Sequence, residues 1–425
     1  MEVSVLEKLV IRGGNSLYGK TGVHGSKNAA LPILAASVLV DQPCTISGVP
    51  KLLDIKVMIN ILKSLGLEVE QDDDQIKILS SRVISTNVPE ELMRKMRSSI
   101  FLMGPLLAKY GSVTVSRPGG CAIGSRRIDL HLNGLKALGA SIIEVNGFIH
   151  CEAKKLKGAD IYLDFPSVGA TENIMMAACM AEGVTEIINP AREPEIIDLA
   201  NFINTIGGHI EGAGTDRITI YGKERLTTDK DYINYRVISD RIVAGTLMVG
   251  AAMTRGDLIL EDVQPNFLMS VISKLKQVGA NVIISSNSVR VIGPEFIEKI
   301  DRLVTAPYPG FPTDMQPQLM SLLTIANGTS VIKESVFEER FKHVEQLLRM
   351  GAKITVDLNL AFIRGVEGLQ GSKVIATDLR AGASLVLAGL IADGETEISC
   401  IEHIDRGYES VENMFNKIGA NIIRK

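Results

Sequence analysis

A short phrase recurs six times along the 425 residues and constrains the fold more than any other feature. In each copy a helical stretch ends in glycine and an apolar strand follows, as in LKSLGLEVE, LKALGASII and LKQVGANVI. Successive glycines are separated by 73, 68, 72, 72 and 68 residues and lie at Gly66, Gly139, Gly207, Gly279, Gly351 and Gly419. Glycine is favoured just after a last helical turn because it adopts positive φ without strain. This spacing predicts six similar units.

A second recurring segment, rich in small apolar residues, runs between these glycines and passes into a strand. Examples are IMMAACMAEGVTEII (174–188) and LVLAGLIADGETEIS (385–399). Such helices are apolar on nearly every face and are therefore expected to be buried, whereas PEIIDLANFINTIGG (194–208) has a charged face and is expected outside. Each unit is thus predicted to contain a buried helix, a strand, an amphipathic helix and two strands joined by a tight turn.

The length of the chain favours two domains, because a single core rarely serves so many residues. We predict an α/β (α+β) protein in which each domain holds three units. The first strand, LEKLVIRGG, has no partner in its own unit, and ANIIRK is left over at the other end of the repeat. We therefore predict one domain at 22–235 and a second formed by 1–21 together with 236–425.

Composition excludes several classes of function. A net charge of −4 gives no basic field for nucleic acid, and no apolar run reaches the ~18 residues of a membrane span. The first residues lack the pattern of a signal peptide. Five scattered cysteines and six scattered histidines indicate neither a disulfide framework nor a metal site. We expect a cytoplasmic protein with no metal, no cofactor and no obligatory protein partner.

The stretch RPGGCAIGSRRID (117–129) is the strongest candidate for chemistry. It combines three glycines, three arginines and Cys121 with little that is apolar. Arginines match phosphate and carboxylate oxygens, and fixed positive charge lowers the pKa of a nearby thiol. We interpret the stretch as an anion-binding loop with a reactive cysteine. The alternative is that Cys121 is a buried small hydrophobe, as many free cysteines are.

The starts of the predicted buried helices carry further charged residues. Free N–H groups and the helix dipole attract anions there and disfavour cations, so cationic side chains at these positions indicate anion binding. Helix ends paired with acidic neighbours, or acids acting as helix caps, are the alternative. No Walker or Rossmann phosphate loop is present. The pattern indicates a transferase acting on anionic substrates. The charged residues concerned are Lys27, Arg94, Arg97, Asp314, Asp378 and Arg380. Asn28 lies in the opening turn of the first of these helices, and Ser167, Val168 and Gly169 form a turn suited to backbone contact with phosphate.

Eight motifs carry a resemblance to a known family. They are GSKNAALP (25–32), MRSSI (96–100), RPGGCAIGSRRIDLH (117–131), SVGATEN (167–173), AREPEI (191–196), FPTDMQ (311–316), FEERF (337–341) and DLRAG (378–382). With them the whole chain resembles the UDP-N-acetylglucosamine 1-carboxyvinyltransferases, enolpyruvyl transferases of the first committed step of peptidoglycan synthesis. The resemblance implies a two-domain inside-out α/β barrel of six βαβαββ repeats, with the active site in the cleft between the domains.

The resemblance also implies the reaction and its residues. Enolpyruvate passes from phosphoenolpyruvate to the 3′-hydroxyl of UDP-N-acetylglucosamine, through a tetrahedral intermediate, and phosphate is released. The implied catalytic residues are Cys121, Asp314, Lys27 and Arg406. Those implied for phosphoenolpyruvate are Lys27, Asn28, Arg97, Cys121, Arg126, Arg380 and Arg406. Those implied for UDP-N-acetylglucosamine are Asn28, Arg97, Arg126, Arg127, Ile128, Asp129, Leu130, Ser167, Val168, Gly169, Asp314 and Val336.

One departure and two alternatives accompany this resemblance. Some family members have lysine two residues before the Ser-Val-Gly turn, where this chain has Phe165. This change puts one diphosphate contact in doubt. A cysteine at 121, in place of the aspartate of some members, predicts sensitivity to the epoxide fosfomycin. The alternatives are the sister reaction that makes 5-enolpyruvylshikimate 3-phosphate and a non-catalytic paralogue or scaffold.

Overall fold

The structure is a computed structural model that describes residues 7–80, 82–117 and 128–425, without the side chain of Arg97. Backbone contacts divide these residues into two compact units. The first unit comprises 24–80, 82–117 and 128–238, and the second comprises 7–23 and 239–425. The domain boundaries given above from the repeat stay a prediction.

Thirteen α-helices lie in the described part of the chain. They are α1 (Lys27–Ala36), α2 (Leu53–Leu65), α3 (Glu90–Lys95), α4 (Met103–Tyr110), α5 (Asp129–Ala137), α6 (Val168–Ala178), α7 (Pro194–Thr205), α8 (Arg241–Met253), α9 (Met269–Gln277), α10 (Gln316–Leu323), α11 (Val344–Arg349), α12 (Leu379–Ile391) and α13 (Val411–Asn416). Short 3₁₀ helices span Ser37–Leu39, Arg97–Leu102, Pro265–Leu268, Thr313–Met315 and Ile401–His403.

The strands in the described part of the chain are short and lie in six sheets. They are β1 (Leu9–Arg12), β2 (Tyr18–Gly22), β3 (Cys44–Ser47), β4 (Glu68–Asp72), β5 (Gln75–Ser80), β6 (Ser112–Ser116), β7 (Ser141–Val145), β8 (Phe148–Glu152), β9 (Asp160–Tyr162), β10 (Val184–Ile188), β11 (Ile210–Glu211), β12 (Arg217–Tyr221), β13 (Ile233–Arg236), β14 (Asp257–Glu261), β15 (Asn281–Ile284), β16 (Ser288–Ile292), β17 (Leu303–Val304), β18 (Thr329–Lys333), β19 (Lys353–Asp357), β20 (Leu360–Arg364), β21 (Lys373–Ile375), β22 (Glu395–Ser399) and β23 (Ile422–Arg424).

In the first unit three sheets accompany three buried helices. The strand orders are β13-β3-β5-β4, β6-β8-β7 and β11-β12-β10-β9. Helices α1 and α6 are almost wholly buried, α4 is buried from Met103 to Leu107, and α4 packs on α6. Strands such as β10 and β12 alternate exposed and buried positions, so one face of their sheet lies on the core. Helices α2, α5 and α7 bury only part of their surface. The expectation that α7 turns a charged face outward is wrong, because its charged residues Glu195 and Asp198 are both buried and α7 packs on α1.

The second unit repeats this arrangement. Its sheets have the orders β15-β16-β14-β2, β17-β18-β20-β19 and β21-β22-β1-β23. Helix α10 packs on α12, and both pack on α8; nearly every residue of these three helices is buried. Strand β1, which the repeat left without a partner, pairs antiparallel with both β22 and β23. The predicted order of buried helix, strand, second helix and two strands is confirmed in the first five repeats. In the sixth repeat only β23 follows α13, and β1 supplies the other strand.

The six repeat glycines have the positive φ that was predicted for them. The six residues after the outer helices have φ between 90° and 108°. At Gly207 the reason is steric as well, because a Cβ would lie 2.1 Å from the carbonyl oxygen of Thr227. The predicted glycine C-caps are therefore confirmed. Among the described residues, none of the helices combines the length and the hydropathy that a membrane span needs.

Candidate active site

The first buried helix opens with a buried cation. Lys27 and Asn28 are the first two residues of α1, and Lys27 is only 8% exposed. A positive charge in this turn opposes the helix dipole. The Nζ atom of Lys27 lies 3.2 Å from Oδ2 of Asp54, which is itself buried in the first turn of α2. Asp54 therefore compensates the charge of Lys27, a partnership that the sequence analysis missed.

The second buried helix begins differently from the prediction. Arg94 lies in the separate helix α3, where it is exposed and forms an ion pair with Glu90 one turn earlier, at 2.7 Å. The chain becomes extended at Met96 before the 3₁₀ helix Arg97–Leu102 leads into α4. The expectation that Arg94 opens this helix is therefore wrong, because the extended residue separates the two. Arg97 does begin the helical stretch, and its side chain lies outside the description.

The glycine-rich loop lies largely outside the described residues. Cys121, Arg126 and Arg127 fall in this gap, so the reactive-cysteine hypothesis stays a prediction. Three other thiols are described in the core of the first unit: Cys44, Cys151 and Cys179. Burial raises the pKa of each to about 12, which makes them poor nucleophiles.

Two neighbouring helices present predicted substrate residues at their starts. Ile128 precedes α5, which begins with Asp129 and Leu130, and α5 packs on α6. Helix α6 begins Val168-Gly169, and the preceding Ser167 caps it by accepting a 3.4 Å hydrogen bond from the N–H of Ala170. These starts offer backbone N–H groups of the kind that bind anions.

Gly169 is held closely against two rings. A Cβ at this position would lie 3.0 Å from Cε1 of His131 and 3.2 Å from Cε1 of Phe101. Such contacts are tighter than carbon atoms normally make. The start of α6 therefore rests on a side chain of α5 and a side chain of the 3₁₀ helix Arg97–Leu102.

A buried carboxyl group lies in the second turn of α6. Glu172 is fully buried, and neither of its oxygens has a hydrogen-bond partner. Burial raises the pKa of Glu172 well above its ordinary value, and Glu195 and Glu193 raise it further. These effects favour the neutral, protonated form. An acid inside the otherwise apolar run ENIMMAAC was the available signal in the sequence.

In the second unit, Asp314 lies between two buried arginines. Its Oδ1 accepts a 2.8 Å hydrogen bond from Nη2 of Arg340, and its Oδ2 accepts a 2.9 Å bond from Nη2 of Arg380. The side chains of the two arginines are 2% and 4% exposed. Paired, hydrogen-bonded charges of this kind hold a carboxylate in one orientation. Arg340 belongs to the FEERF motif, but its contact with Asp314 was not anticipated.

Asp378 is an acid that caps the start of a helix, which was the alternative left open by the sequence analysis. Its Oδ1 accepts hydrogen bonds from the N–H groups of Arg380 and Ala381, at 2.9 and 3.1 Å. Asp240 caps α8 in the same way, through the N–H groups of Ile242 and Val243. Asp378 is therefore a helix cap, whereas the bonds that Asp314 makes with the arginines are those of an ion-pair network.

Glu334 connects the turn of Asp314 to the segment of Val336. Its Oε2 accepts from the Thr313 hydroxyl at 3.0 Å. Its Oε1 accepts from the Thr305 hydroxyl and from the N–H of Val336, both at 2.8 Å, and from the N–H of Phe337 at 3.2 Å. Glu334 is almost fully buried. It is a second residue that the sequence analysis missed.

Arg406 is partly buried and lies two residues before Tyr408, which is fully buried. The ring centroid of Tyr408 is 6.0 Å from Cζ of Arg380, and its hydroxyl lies 2.8 Å from that of Thr246.

His343, three residues after Arg340, is fully buried. Burial lowers its pKa to about 4, although the charge of Asp378 acts in the opposite direction. His343 is therefore uncharged near neutral pH.

No group of three or more His, Cys, Asp or Glu side chains within 7–80, 82–117 and 128–425 is arranged to hold a metal ion. The arrangement in each unit instead combines buried cations with helix starts. In chemical terms it suits the binding of anionic groups, together with an oriented carboxylate in the second unit.

Comparison with known proteins places the chain in a family. The sequence model described as EPSP synthase (3-phosphoshikimate 1-carboxyvinyltransferase) matches residues 11–415, and the chain belongs to this family of enolpyruvyl transferases. A UDP-N-acetylglucosamine 1-carboxyvinyltransferase of Desulfatibacillum aliphaticivorans is 52% identical over 419 residues, which cover 99% of this chain and 100% of the relative. UDP-N-acetylglucosamine 1-carboxyvinyltransferase 1 of Carboxydothermus hydrogenoformans is 51% identical, covering 99% and 98%.

Solved structures share the fold. The enolpyruvyl transferase NikO from Streptomyces tendae aligns with a TM-score of 0.89 at 23% identity, covering 99% of both chains. EPSP synthase from Acinetobacter baumannii aligns with a TM-score of 0.76 at 20% identity, covering 99% of this chain and 100% of the other. The predicted α/β fold and the predicted family are therefore confirmed.

Proposed function

We propose that the chain transfers the enolpyruvyl group of phosphoenolpyruvate to the 3′-hydroxyl of UDP-N-acetylglucosamine and releases phosphate. The observation that carries this proposal is identity of about half over nearly the whole chain with enzymes named for this reaction. The retention of Lys27, Cys121, Asp314 and Arg406 supports it, since a non-catalytic paralogue would be free to lose them. The product belongs to peptidoglycan synthesis, and we place the enzyme in the cytoplasm, where both substrates are made.

The sister reaction on shikimate 3-phosphate is the second candidate, because the matching family model is described by that activity. The solved EPSP synthase supports the fold alone, at 20% identity. The Gly-Gly-Cys loop favours the nucleotide-sugar reaction, since the sister enzymes do not use it. The two candidates differ in one substrate and are separated by a direct assay.

In the proposed mechanism, cationic side chains hold the phosphate and carboxylate groups of phosphoenolpyruvate. Of these residues Lys27 and Arg380 are buried in the structure, and each has an acidic partner, Asp54 and Asp314 respectively. A buried, partnered cation keeps its position without spending conformational freedom when the substrate arrives. The cations proposed for this role are Lys27, Arg97, Arg126, Arg380 and Arg406, and the neutral amide of Asn28 is proposed to bind phosphoenolpyruvate beside them.

Addition requires one proton to leave the sugar and another to reach phosphoenolpyruvate. Asp314 accepts the proton of the 3′-hydroxyl as the sugar oxygen bonds to C2, and Cys121 donates a proton to the methylene carbon C3. Each oxygen of a carboxylate carries two lone pairs, so one guanidinium bond does not exhaust it. Arg340 and Arg380 keep the carboxylate of Asp314 oriented for this transfer.

Elimination then completes the reaction. The thiolate left on Cys121 takes a proton from C3 of the tetrahedral intermediate, the C–O bond to phosphate breaks, and the enolpyruvyl double bond forms on the sugar. The departing phosphate takes the proton that Asp314 accepted from the sugar. Charge on the phosphate group is stabilised by the same cations.

The nucleotide sugar is proposed to bind along the two neighbouring helix starts of the first unit. Ser167, Val168 and Gly169 supply the cap and first N–H groups of α6, and Ile128, Asp129 and Leu130 begin α5. The resemblance also assigns Arg127 and Val336 to the nucleotide sugar. Phe165 stands where some relatives have lysine, and it is partly exposed. It cannot supply a cation to the diphosphate.

The test measures phosphate release from phosphoenolpyruvate with UDP-N-acetylglucosamine and, separately, with shikimate 3-phosphate. The proposal expects release with the nucleotide sugar only, and loss of release in Cys121→Ala. Release with shikimate 3-phosphate only would establish the sister reaction. Release with neither substrate would overturn enzymatic transfer, and full activity of Cys121→Ala would remove Cys121 from the chemistry.

A further inference from the structure

One fully buried amide joins three segments of the first unit. Asn173 lies in the second turn of α6 and has no solvent exposure. Its Oδ1 accepts a 2.8 Å hydrogen bond from the N–H of Gly104, at the start of α4. Its Nδ2 lies 3.0 Å from the carbonyl oxygen of Ile100 and 2.8 Å from Nδ1 of His131. All the bonding groups of the amide are therefore used within the protein.

The chemistry of these partners fixes the direction of every bond. The N–H of Gly104 can only donate, so the amide oxygen of Asn173 faces Gly104. The carbonyl of Ile100 can only accept, so the amide nitrogen of Asn173 faces Ile100. The second N–H of Asn173 then points at Nδ1 of His131. That ring nitrogen must act as the acceptor, which leaves the proton of the neutral imidazole on Nε2.

Two glycines allow the segments to approach this closely. A Cβ at Gly104 would lie 2.3 Å from the backbone oxygen of Asn173 and 3.1 Å from its Oδ1. A Cβ at Gly169 would lie 3.0 Å from Cε1 and 3.3 Å from Nε2 of His131. The ring of His131 therefore lies between the amide of Asn173 and the first turn of α6.

Each segment that Asn173 joins carries residues proposed for the nucleotide sugar. Ile100 is three residues after Arg97 in the same 3₁₀ helix. His131 follows Leu130 at the start of α5, and Asn173 itself is one helical turn after Gly169 in α6. The relative positions of these three groups depend on one side chain that is fully buried.

We propose that Asn173 is a positioning residue for UDP-N-acetylglucosamine, which it serves by fixing the tautomer and the orientation of His131 between the starts of α5 and α6. This inference rests on the proposed function for the identity of the ligand. The bonding pattern itself does not depend on that function. Because Asn173 is buried, it acts through its partners and not by touching the ligand.

The first test replaces Asn173 by aspartate, which has the same shape but lacks both N–H donors. We expect the KM for UDP-N-acetylglucosamine to rise about tenfold, the usual scale for a buried hydrogen bond left unmade, while the KM for phosphoenolpyruvate changes less than twofold. Ser37→Ala is the control, since Ser37 is also fully buried in this unit and donates to the carbonyl of Leu34. The control should lower the melting temperature and leave both KM values unchanged.

The second test reads the tautomer directly. Nitrogen NMR of the protein labelled at its six histidines distinguishes a protonated from an unprotonated ring nitrogen, and His131→Phe identifies the His131 signals. We expect an Nε2–H ring in the wild type and a proton on Nδ1 in Asn173→Asp, where the new carboxylate oxygen is an acceptor. If Asn173→Asp does not fold, the KM values of His131→Phe, which removes the same acceptor, are measured in its place.

The outcomes separate this inference from the proposed function. Unchanged KM values, or equal rises for both substrates, would overturn the positioning role. A proton on Nδ1 in the wild type would overturn the bonding pattern on which it rests. If the wild type released no phosphate with UDP-N-acetylglucosamine, the proposed function would fail. The affinity of each variant for that compound, measured by calorimetry, would then decide the positioning role.

Discussion

The hydroxyl of Thr313, the residue before Asp314, donates a 3.0 Å hydrogen bond to Oε2 of Glu334. The carbonyl of the same Thr313 accepts from Nη2 of Arg340 at 3.3 Å. The turn that carries Asp314 is thus held on one side by a buried carboxylate and on the other by a buried guanidinium. The proposed base is positioned by its backbone as well as by its own ion pairs.

Replacing Thr313 by valine should lower kcat by about tenfold, because the turn of Asp314 loses its bond to Glu334 while its shape is kept. Thr313→Ser retains the hydroxyl and should have nearly the activity of the wild type. Steady-state phosphate release with both substrates saturating is the measurement. Equal rates for the valine and serine variants would show that this bond does not position Asp314.

Arg340→Lys should reduce kcat by about a hundredfold. Arg340 bonds the carbonyl of Thr313 through both Nε and Nη2 and the carboxylate of Asp314 through Nη2. A lysine is shorter and has a single nitrogen, so it cannot reproduce this set of bonds, and a buried ion pair that loses its geometry is costly. The matched control is Arg349→Lys, since Arg349 is exposed and pairs with Glu345 on the helix surface at 3.6 Å. Wild-type turnover by Arg340→Lys would contradict the proposed role.

Glu172→Gln should stabilise the protein at pH 8 and change its stability little at pH 4. The unfolded chain releases this proton near the ordinary pKa of 4.5, whereas the folded protein keeps it to a higher pH because the group is buried. Free energy of unfolding is therefore lost as the pH rises from 4.5 towards the folded pKa. Glutamine has no proton to release and avoids this loss.

The gain expected for Glu172→Gln at pH 8 is a rise of about 2–4 °C in melting temperature, which corresponds to about 1 kcal/mol. Thermal unfolding followed by circular dichroism at the two pH values is the measurement. Glu152→Gln, at an exposed position of β8, is the control and should change neither value. A gain of the same size at both pH values would contradict the linkage to ionisation.

Fosfomycin should inactivate the wild type with time and add its mass to the peptide that contains Cys121. The epoxide requires a thiolate nucleophile, and Cys121 lies among three arginines in the sequence. Cys121→Asp should resist inactivation. Mass mapping of the digested protein after incubation is the measurement, and label on Cys400 in place of Cys121 would contradict the assignment.

The repeat made much of the fold predictable, because glycine after a helix is a local signal. Gly66, Gly139 and their four equivalents have the positive φ that their positions in the sequence required. Arg94 shows where local reading fails, since nothing near it indicates the extended residue Met96 that separates it from the buried helix.

The pairing within the candidate site could not be read from the sequence. Asp314 meets Arg340 and Arg380, which lie 26 and 66 residues further along the chain, and no periodic pattern specifies such contacts. Asp314 and Asp378 look alike as acids at helix starts, and only the geometry separates the ion-pair network from the cap. Asn173 was visible as part of a motif, but its three partners come from other helices.

Strand β1 has a consequence for the order of folding during synthesis. It is translated before the other described strands, yet it pairs with β22 and β23, which are translated more than 370 residues later. The intervening residues 24–238 contain a complete unit and can fold meanwhile. Until translation reaches residue 424, β1 keeps unpaired edges, and a chaperone that shields it over this interval would favour correct assembly of the second unit.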